Sequence, residues 1–182
     1  MQISGKAMKY CLSGGLLALM AGAALAAEPM TSNSGELYRA GELDFDAFGS
    51  ASLGKYTLDH ISQARVRHNV RLGAGLGLSY FLTRNIGIAA DAYSENTTGT
   101  FVDSASLNLT ARFPLGESGF APYIFGGGGH QFDLAKVWFG QVGAGMEYRF
   151  TPNVGVFVDA RWVEPERTRY YGVGRLGMRF AF

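Results

Sequence analysis

Residues 142–162 read VGAGMEYRF, TPN, VGVFVDARW, and they decide the fold. In the first run Val142, Ala144, Met146, Tyr148 and Phe150 alternate with Gly143, Gly145, Glu147 and Arg149. In the last run Val154, Val156, Val158, Ala160 and Trp162 alternate with Gly155, Phe157, Asp159 and Arg161. Period-two alternation of this length marks strands with two unlike faces. Thr151-Pro152-Asn153 between them is a turn signal. Folded with Phe150 opposite Val154, the hairpin sets Gly145 against Asp159, Gly143 against Arg161 and Gly155 against Arg149. Large polar side chains then face glycines. A solvated face has no need of that matching, whereas the cramped interior of a small closed barrel does.

The same pattern extends outward from this hairpin. In residues 70–80, Val70, Leu72, Ala74, Leu76, Leu78 and Tyr80 alternate with Arg71, Gly73, Gly75, Gly77 and Ser79. The C-terminus sets Leu176, Met178, Phe180 and Phe182 against Arg175, Gly177, Arg179 and Ala181. Segments 42–53, 86–95, 104–113 and 121–131 follow less sharply. The last is weakest, because Gly126 to Gly129 erase the alternation, and Tyr123 and Phe125 are read as its outward apolar face. Hairpin 70–95, taken with Tyr80 opposite Ile86, pairs Gly75 with Asp91, Gly73 with Tyr93 and Arg71 with Glu95. The count is eight strands of roughly ten residues, the length that crosses a bilayer at a tilt. Connections near 81–85, 114–120 and 151–153 carry turn residues. Those near 54–68, 95–103, 132–137 and 163–169 are mostly longer and more polar. Short turns on one side and longer loops on the other describe an all-β, eight-stranded antiparallel up-and-down transmembrane β-barrel.

Ahead of the alternation, residues 1–10 carry Lys6 and Lys9, residues 11–27 are small and apolar, and the run ends Ala24-Leu25-Ala26-Ala27. This is the pattern of a cleaved signal peptide over 1–27. A short polar lead-in follows over 28–40, and the barrel domain occupies 41–182. Cleavage removes both leader lysines and the one cysteine, Cys11, so 16 basic against 15 acidic residues become 14 against 15. That leaves no disulfide and no thiolate site in the mature chain. The balance lacks the basic excess of a nucleic-acid binder.

Alternation alone does not say which face is inside, since a soluble lipocalin-like barrel has the opposite sense. Charge argues for the membrane sense. Arg71, Arg112, Arg149, Arg161, Arg175 and Arg179 are assigned inward, with Asp44, Asp46, Asp91, Glu95, Glu147 and Asp159. All inward cations are arginines, whose guanidinium grips carboxylates with two parallel hydrogen bonds. A balanced network meets the condition under which buried charge is tolerated. Solvated surface charge is the plainer alternative.

On these residues the chain resembles the OmpA/OmpX-type family of small outer-membrane barrels, over about residues 40–182. The most specific match is Gly174-Arg175-Leu176-Gly177-Met178-Arg179-Phe180-Ala181-Phe182, which looks like the terminal strand such proteins present to the barrel-assembly machinery. Leu176, Met178, Phe180 and Phe182 are the residues that carry it. The stretch from Gly41 to Gly49 looks like a first strand of the same barrels. The resemblance implies insertion in a Gram-negative outer membrane and a packed lumen. The whole chain reads as a monomeric or weakly associating barrel among outer-membrane lipids and lipopolysaccharide, with no cofactor and a structural or surface-interaction role.

Other chemistries leave weaker traces. Some barrels of this size modify lipid A, and lipid A deacylases pair a His with a nearby Ser facing lipid. Here His130 precedes Gln131-Phe132-Asp133 without that Ser. His60, Asp103 and Ser104 have the residue types of a palmitoyltransferase but no local pattern supports them. His60 and His68 do not have a ligand spacing, so no metal is expected. The glycine runs at 73–77 and 126–129 lack the helix that a phosphate loop requires. A narrow channel is the remaining alternative, set against a lumen crossed by ion pairs. The first long loop carries Lys55, Arg65 and Arg67 against Asp59, suited to lipopolysaccharide phosphates. Tyr80, Phe113, Tyr123, Trp138, Tyr148, Phe150, Trp162, Tyr170 and Phe182 are read as two interfacial girdles.

Overall fold

The computed structural model describes residues 36–55, 68–95, 102–132, 136–166 and 170–182, with backbone only at Lys55, His68 and Asn69. The leader 1–27, most of the lead-in, and His60, Arg65 and Arg67 lie outside the described residues. Eight strands follow in order: β1 (Glu42–Lys55), β2 (His68–Phe81), β3 (Ile86–Ser94), β4 (Ser104–Arg112), β5 (Phe120–Gln131), β6 (Val137–Thr151), β7 (Val154–Pro165) and β8 (Tyr171–Ala181). Each pairs antiparallel with its chain neighbours, and β8 closes on β1, from Asp44 opposite Ala181 to Gly54 opposite Tyr171.

Two of the short turns use one device. In Thr83-Arg84-Asn85-Ile86, Thr83 Oγ1 accepts from the N–H groups of Asn85 (3.2 Å) and Ile86 (2.9 Å). In Thr151-Pro152-Asn153-Val154, Thr151 Oγ1 accepts from Asn153 (3.3 Å) and Val154 (3.1 Å). Each Asn then donates its amide across to the next strand, Asn85 to Arg112 O (2.8 Å) and Asn153 to Ala181 O (2.7 Å). Side-chain capping of this kind fixes where a hairpin ladder begins. The short turns and both described chain ends share one end of the barrel, the periplasmic end by the usual asymmetry of these barrels.

The register corrects the sequence reading in one hairpin and refines it in the other. In β2–β3, Tyr80 faces Ile88, so Gly77 meets Asp91 and Gly75 meets Tyr93. The Thr83 cap widens the turn and shifts the ladder by two residues. A shift of two keeps every side chain on its face, so the inward assignments are unaffected. In β6–β7 the pairs Gly145–Asp159, Gly143–Arg161 and Arg149–Gly155 occur, but Thr151, not Phe150, faces Val154. A bulge between Arg149 and Thr151 absorbs Phe150.

Exposure separates the faces. Leu72 is 66% exposed and Leu176 67%, while Arg112 and Glu147 are at 0%. Apolar residues form the outer wall and charged residues line the lumen, the sense that a lipid environment demands. One assignment is reversed. Tyr123 and Phe125 face inward and are buried, joining Phe48, Tyr93 and Phe157 in an aromatic layer. Glycine makes their room on the neighbouring strand, since a Cβ at Gly145 would stand 2.6 Å from Tyr123 Cζ. The outward side chains of β5 are instead Phe120, Pro122, Ile124 and His130.

Candidate functional site: the charged lumen and its two mouths

Toward the periplasmic end, strand alternation projects Glu42, Asp44 and Asp46 from β1, Arg112 from β4, Glu147 and Arg149 from β6 and Arg179 from β8 into one cluster. Arg149 binds Glu42 (Nη2 to Oε1, 2.7 Å) and Glu147 (Nε to Oε1, 2.6 Å). Arg112 Nη1 binds Glu42 Oε1 at 2.9 Å. Arg179 grips Asp46 with two bonds of 2.7 Å and reaches Glu147 with a third at 2.5 Å. Asp44 sits among Arg149, Arg179 and Arg112 at 3.4 to 3.9 Å.

Midway, Arg175 forks onto Asp159 at 2.9 and 2.6 Å, and Arg161 forks onto Asp91 at 3.1 and 3.3 Å. Neutral groups complete this layer. Tyr123 donates to Asp159 (2.8 Å), and Gln141 donates to Asn108 (2.7 Å) and Ser106 (2.8 Å). Such satisfaction is what makes buried charge tolerable. Between the two layers lies a cavity of about 20 Å³, bordered by Asp46, Asp91, Thr110, Arg175 and Arg179. That is room for about one water.

At the outer mouth, Ser52 of β1 donates to Glu95 across Gly73 of β2. The Glu95 N–H donates to Asp103 Oδ2 at 2.5 Å, closing the base of the β3–β4 connection. Burial pushes the Glu95 carboxyl above its ordinary range, and Asp103 adds to this, against Ser52 and Arg71. Arg71 therefore influences Glu95 without standing opposite it. A second apolar cluster, Phe139, Val163, Tyr171 and Val173, fills the other side of this mouth.

The luminal charges named from sequence are joined by hydrogen bonds and ion pairs, and Arg71 acts on Glu95 electrostatically. Glu42 and Asp103 were missed. Glu42 was legible, two residues before Asp44 on the same face, whereas Asp103 lies in a connection without periodicity. Tyr38 was also missed. It is buried in the periplasmic mouth, and burial, with Glu147 nearby, raises its phenol above the ordinary tyrosine range, so it is a hydrogen-bond donor.

On the outer wall, Leu176, Met178 and Phe182 are exposed and Phe180 packs 6.5 Å from Phe45. His130 faces outward between Phe132 and Trp138, at 5.0 and 4.9 Å between ring centroids. Trp162 stacks on Tyr170 at 4.3 Å. Among the described residues no three His, Cys, Asp or Glu side chains converge as a metal site.

A closed barrel with an apolar wall and a charged lumen defines an integral outer-membrane β-barrel. Residues 15–166 match the family described as outer membrane protein beta-barrel domain, and the chain belongs to that family. It resides in the bacterial outer membrane. The fold is similar to the N-terminal β-barrel domain of Pseudomonas aeruginosa OprF (20% identity, TM-score 0.59, covering 79% of this chain and 99% of that one). It is similar to P. aeruginosa OprG (14%, 0.57, 83% and 99%). It is also similar to Ail, the attachment invasion locus protein of Yersinia pestis (15%, 0.52, 79% and 99%). At these identities the likeness is one of fold. No curated protein matches the chain in sequence.

Proposed function

We propose that this protein is a structural and surface-interaction barrel, closed to steady flow and without enzymatic activity. The observation that carries the reading is the filled lumen: two ion-pair layers and the Phe48, Tyr93, Tyr123, Phe125 and Phe157 layer occupy its cross-section. A rigid, charge-balanced interior holds a barrel's shape and presents its outer loops. The similar folds include an attachment protein by name, which agrees with a role at the surface. In this reading Lys55, Arg65 and Arg67 of the first loop meet lipopolysaccharide phosphates. Leu176, Met178, Phe180 and Phe182 are read by the assembly machinery, and the barrel is a monomer.

Two measurements test it. Replacing Lys55, Arg65 and Arg67 together by alanine is expected to weaken lipopolysaccharide binding and its salt dependence. Unchanged binding removes that contact. Mass spectrometry of lipid A from cells with and without the protein is expected to show identical acylation. An acyl chain gained or lost makes the protein an enzyme and overturns the reading.

A further inference from the structure

Residues 36–41 precede the sheet, yet Tyr38 is 1% exposed. Gly41, at φ +73°, turns the chain into β1, and its N–H donates to Phe81 O at 2.7 Å. From there the segment crosses the periplasmic mouth. Arg149 Nη1 donates to Leu37 O at 2.8 Å, and the Tyr38 hydroxyl donates to Gly119 O at 2.6 Å, in the β4–β5 turn. β1 and β5 stand opposite each other in the ring of eight strands, so the segment spans the mouth. The Tyr38 ring lies against two guanidinium carbons, Arg112 and Arg149, each 4.6 Å from its centroid. Arg112 is covered on Phe81 as well, at 3.7 Å. Stacking uses the weakly hydrated faces of guanidinium and leaves its edge N–H groups for carboxylates. Beneath the ring, Glu42, Asp44, Arg112, Glu147 and Arg149 are each at most 2% exposed. Charges that close to the periplasm stay dry only under a cover.

Gly41 and Arg39 bond locally, to Phe81 of β2 and Glu42 of β1, whereas the partners of Leu37 and Tyr38 lie on β4, the β4–β5 turn and β6. Those elements are consecutive in the sheet, and it is the closed ring that carries the β1 end of the chain across to them, so Tyr38 has nothing to seat on before closure. We propose that residues 36–41 are a latch, bolted by Tyr38, that shuts the periplasmic mouth after the wall has assembled and slows unfolding of the finished barrel. The latch goes beyond the surface role, and its failure leaves that role standing.

The test places a cysteine at Ala121, which is fully buried, faces inward and lies two residues from Gly119. The background is Cys11→Ser, so that no other thiol competes. A charged thiosulfonate reagent is added to the barrel in vesicles or micelles. With Tyr38 in place the cysteine is expected to stay unreactive, and with Tyr38→Ala to label readily. Tyr38→Phe keeps the ring between the arginines and is expected to stay closed. Interactions formed after the transition state act mainly on the unfolding rate, so Tyr38→Ala is expected to unfold roughly tenfold faster while folding little more slowly. Equal labelling with and without Tyr38, or an unchanged unfolding rate, overturns the latch. Should Tyr38→Ala fail to assemble, amide exchange at Arg39, whose N–H donates to the buried Glu42 carboxylate at 3.3 Å, decides in the unaltered barrel. Exchange as slow as in β1 supports the latch, and exchange at an unfolded rate overturns it.

Discussion

Gly145 and Gly140 stand five residues apart on β6 and face opposite ways. A Cβ at Gly145 would lie 2.6 Å from Asp159 Cβ and 2.6 Å from Tyr123 Cζ, while at Gly140 it would meet nothing within 4 Å. Overpacking costs about 1–3 kcal/mol, and an open strand position gains from losing glycine's freedom. Gly145→Ala is therefore expected to reduce the fraction of compact, heat-modifiable barrel on an unheated gel, and Gly140→Ala to leave it unchanged or raised. Ion pairs follow a different rule. Arg175→Met strips Asp159 of a forked partner, and breaking a buried pair costs about 3–5 kcal/mol. Arg175→Met combined with Asp159→Asn is expected to cost less than the two single changes summed, as denaturant unfolding of all four proteins would show. Glu95 makes a pH prediction. Its folded-state pKa is raised, so its contribution is full below the ordinary carboxylate pKa and is lost as pH rises through the raised value. Glu95→Gln fixes the uncharged form. Raising pH from the acid side is expected to destabilise the wild type relative to Glu95→Gln, and parallel stability curves would refute this.

At the scale of elements, the sequence was most legible where two periodicities coincided. Residues 142–162 carry alternation and glycine-to-charge matching together, and three of their pairs form as read. The β2–β3 register was not legible because the ladder start depends on Thr83 capping two amides, a local hydrogen-bond choice that periodicity does not encode. The second Thr-x-Asn turn, at 151–153, similarly forces the bulge at Phe150. β5 misled for a different reason. Its glycine run hides the alternation, and Tyr123 and Phe125 have no intrinsic mark of lipid or lumen. Their face is set by Gly143 and Gly145 on β6, so the signal existed only across the pair. Most luminal charges were visible because arginine and carboxylate fell on one parity of strands. Tyr38 was not, since a lone tyrosine in a polar lead-in shows no period. Its burial depends on three arginine-bearing or turn segments that the lead-in reaches only in the closed barrel.

At the scale of the whole molecule, the lumen of the proposed plugged barrel is blocked in series. The proposed latch lies outermost on the periplasmic side, then the Arg112, Arg149 and Arg179 cluster. The Arg161 and Arg175 layer with its five aromatic rings follows, and Phe139, Val163, Tyr171 and Val173 narrow the outer mouth. Guanidinium groups couple the layers, since Arg175 lies 4.7 Å from the Phe48 ring and Arg179 5.2 Å from that of Phe157. Barriers in series conduct only when all are open together, so no single lesion should produce a pore. Planar-bilayer recording of the wild type is expected to show no steady current steps. Phe157→Ala removes a ring from the middle layer at a stability cost of about 3–5 kcal/mol, and it is expected to stay silent because both mouths remain closed. Tyr38→Ala is expected to admit the thiol reagent to position 121 and still pass no current, because the layers above it are intact. Steady steps from Tyr38→Ala alone would mean that the latch is the only barrier and that the packed layers do not seal the lumen. Reagent entry without current would place the latch and the plug as separate devices, one at the mouth and one in the core.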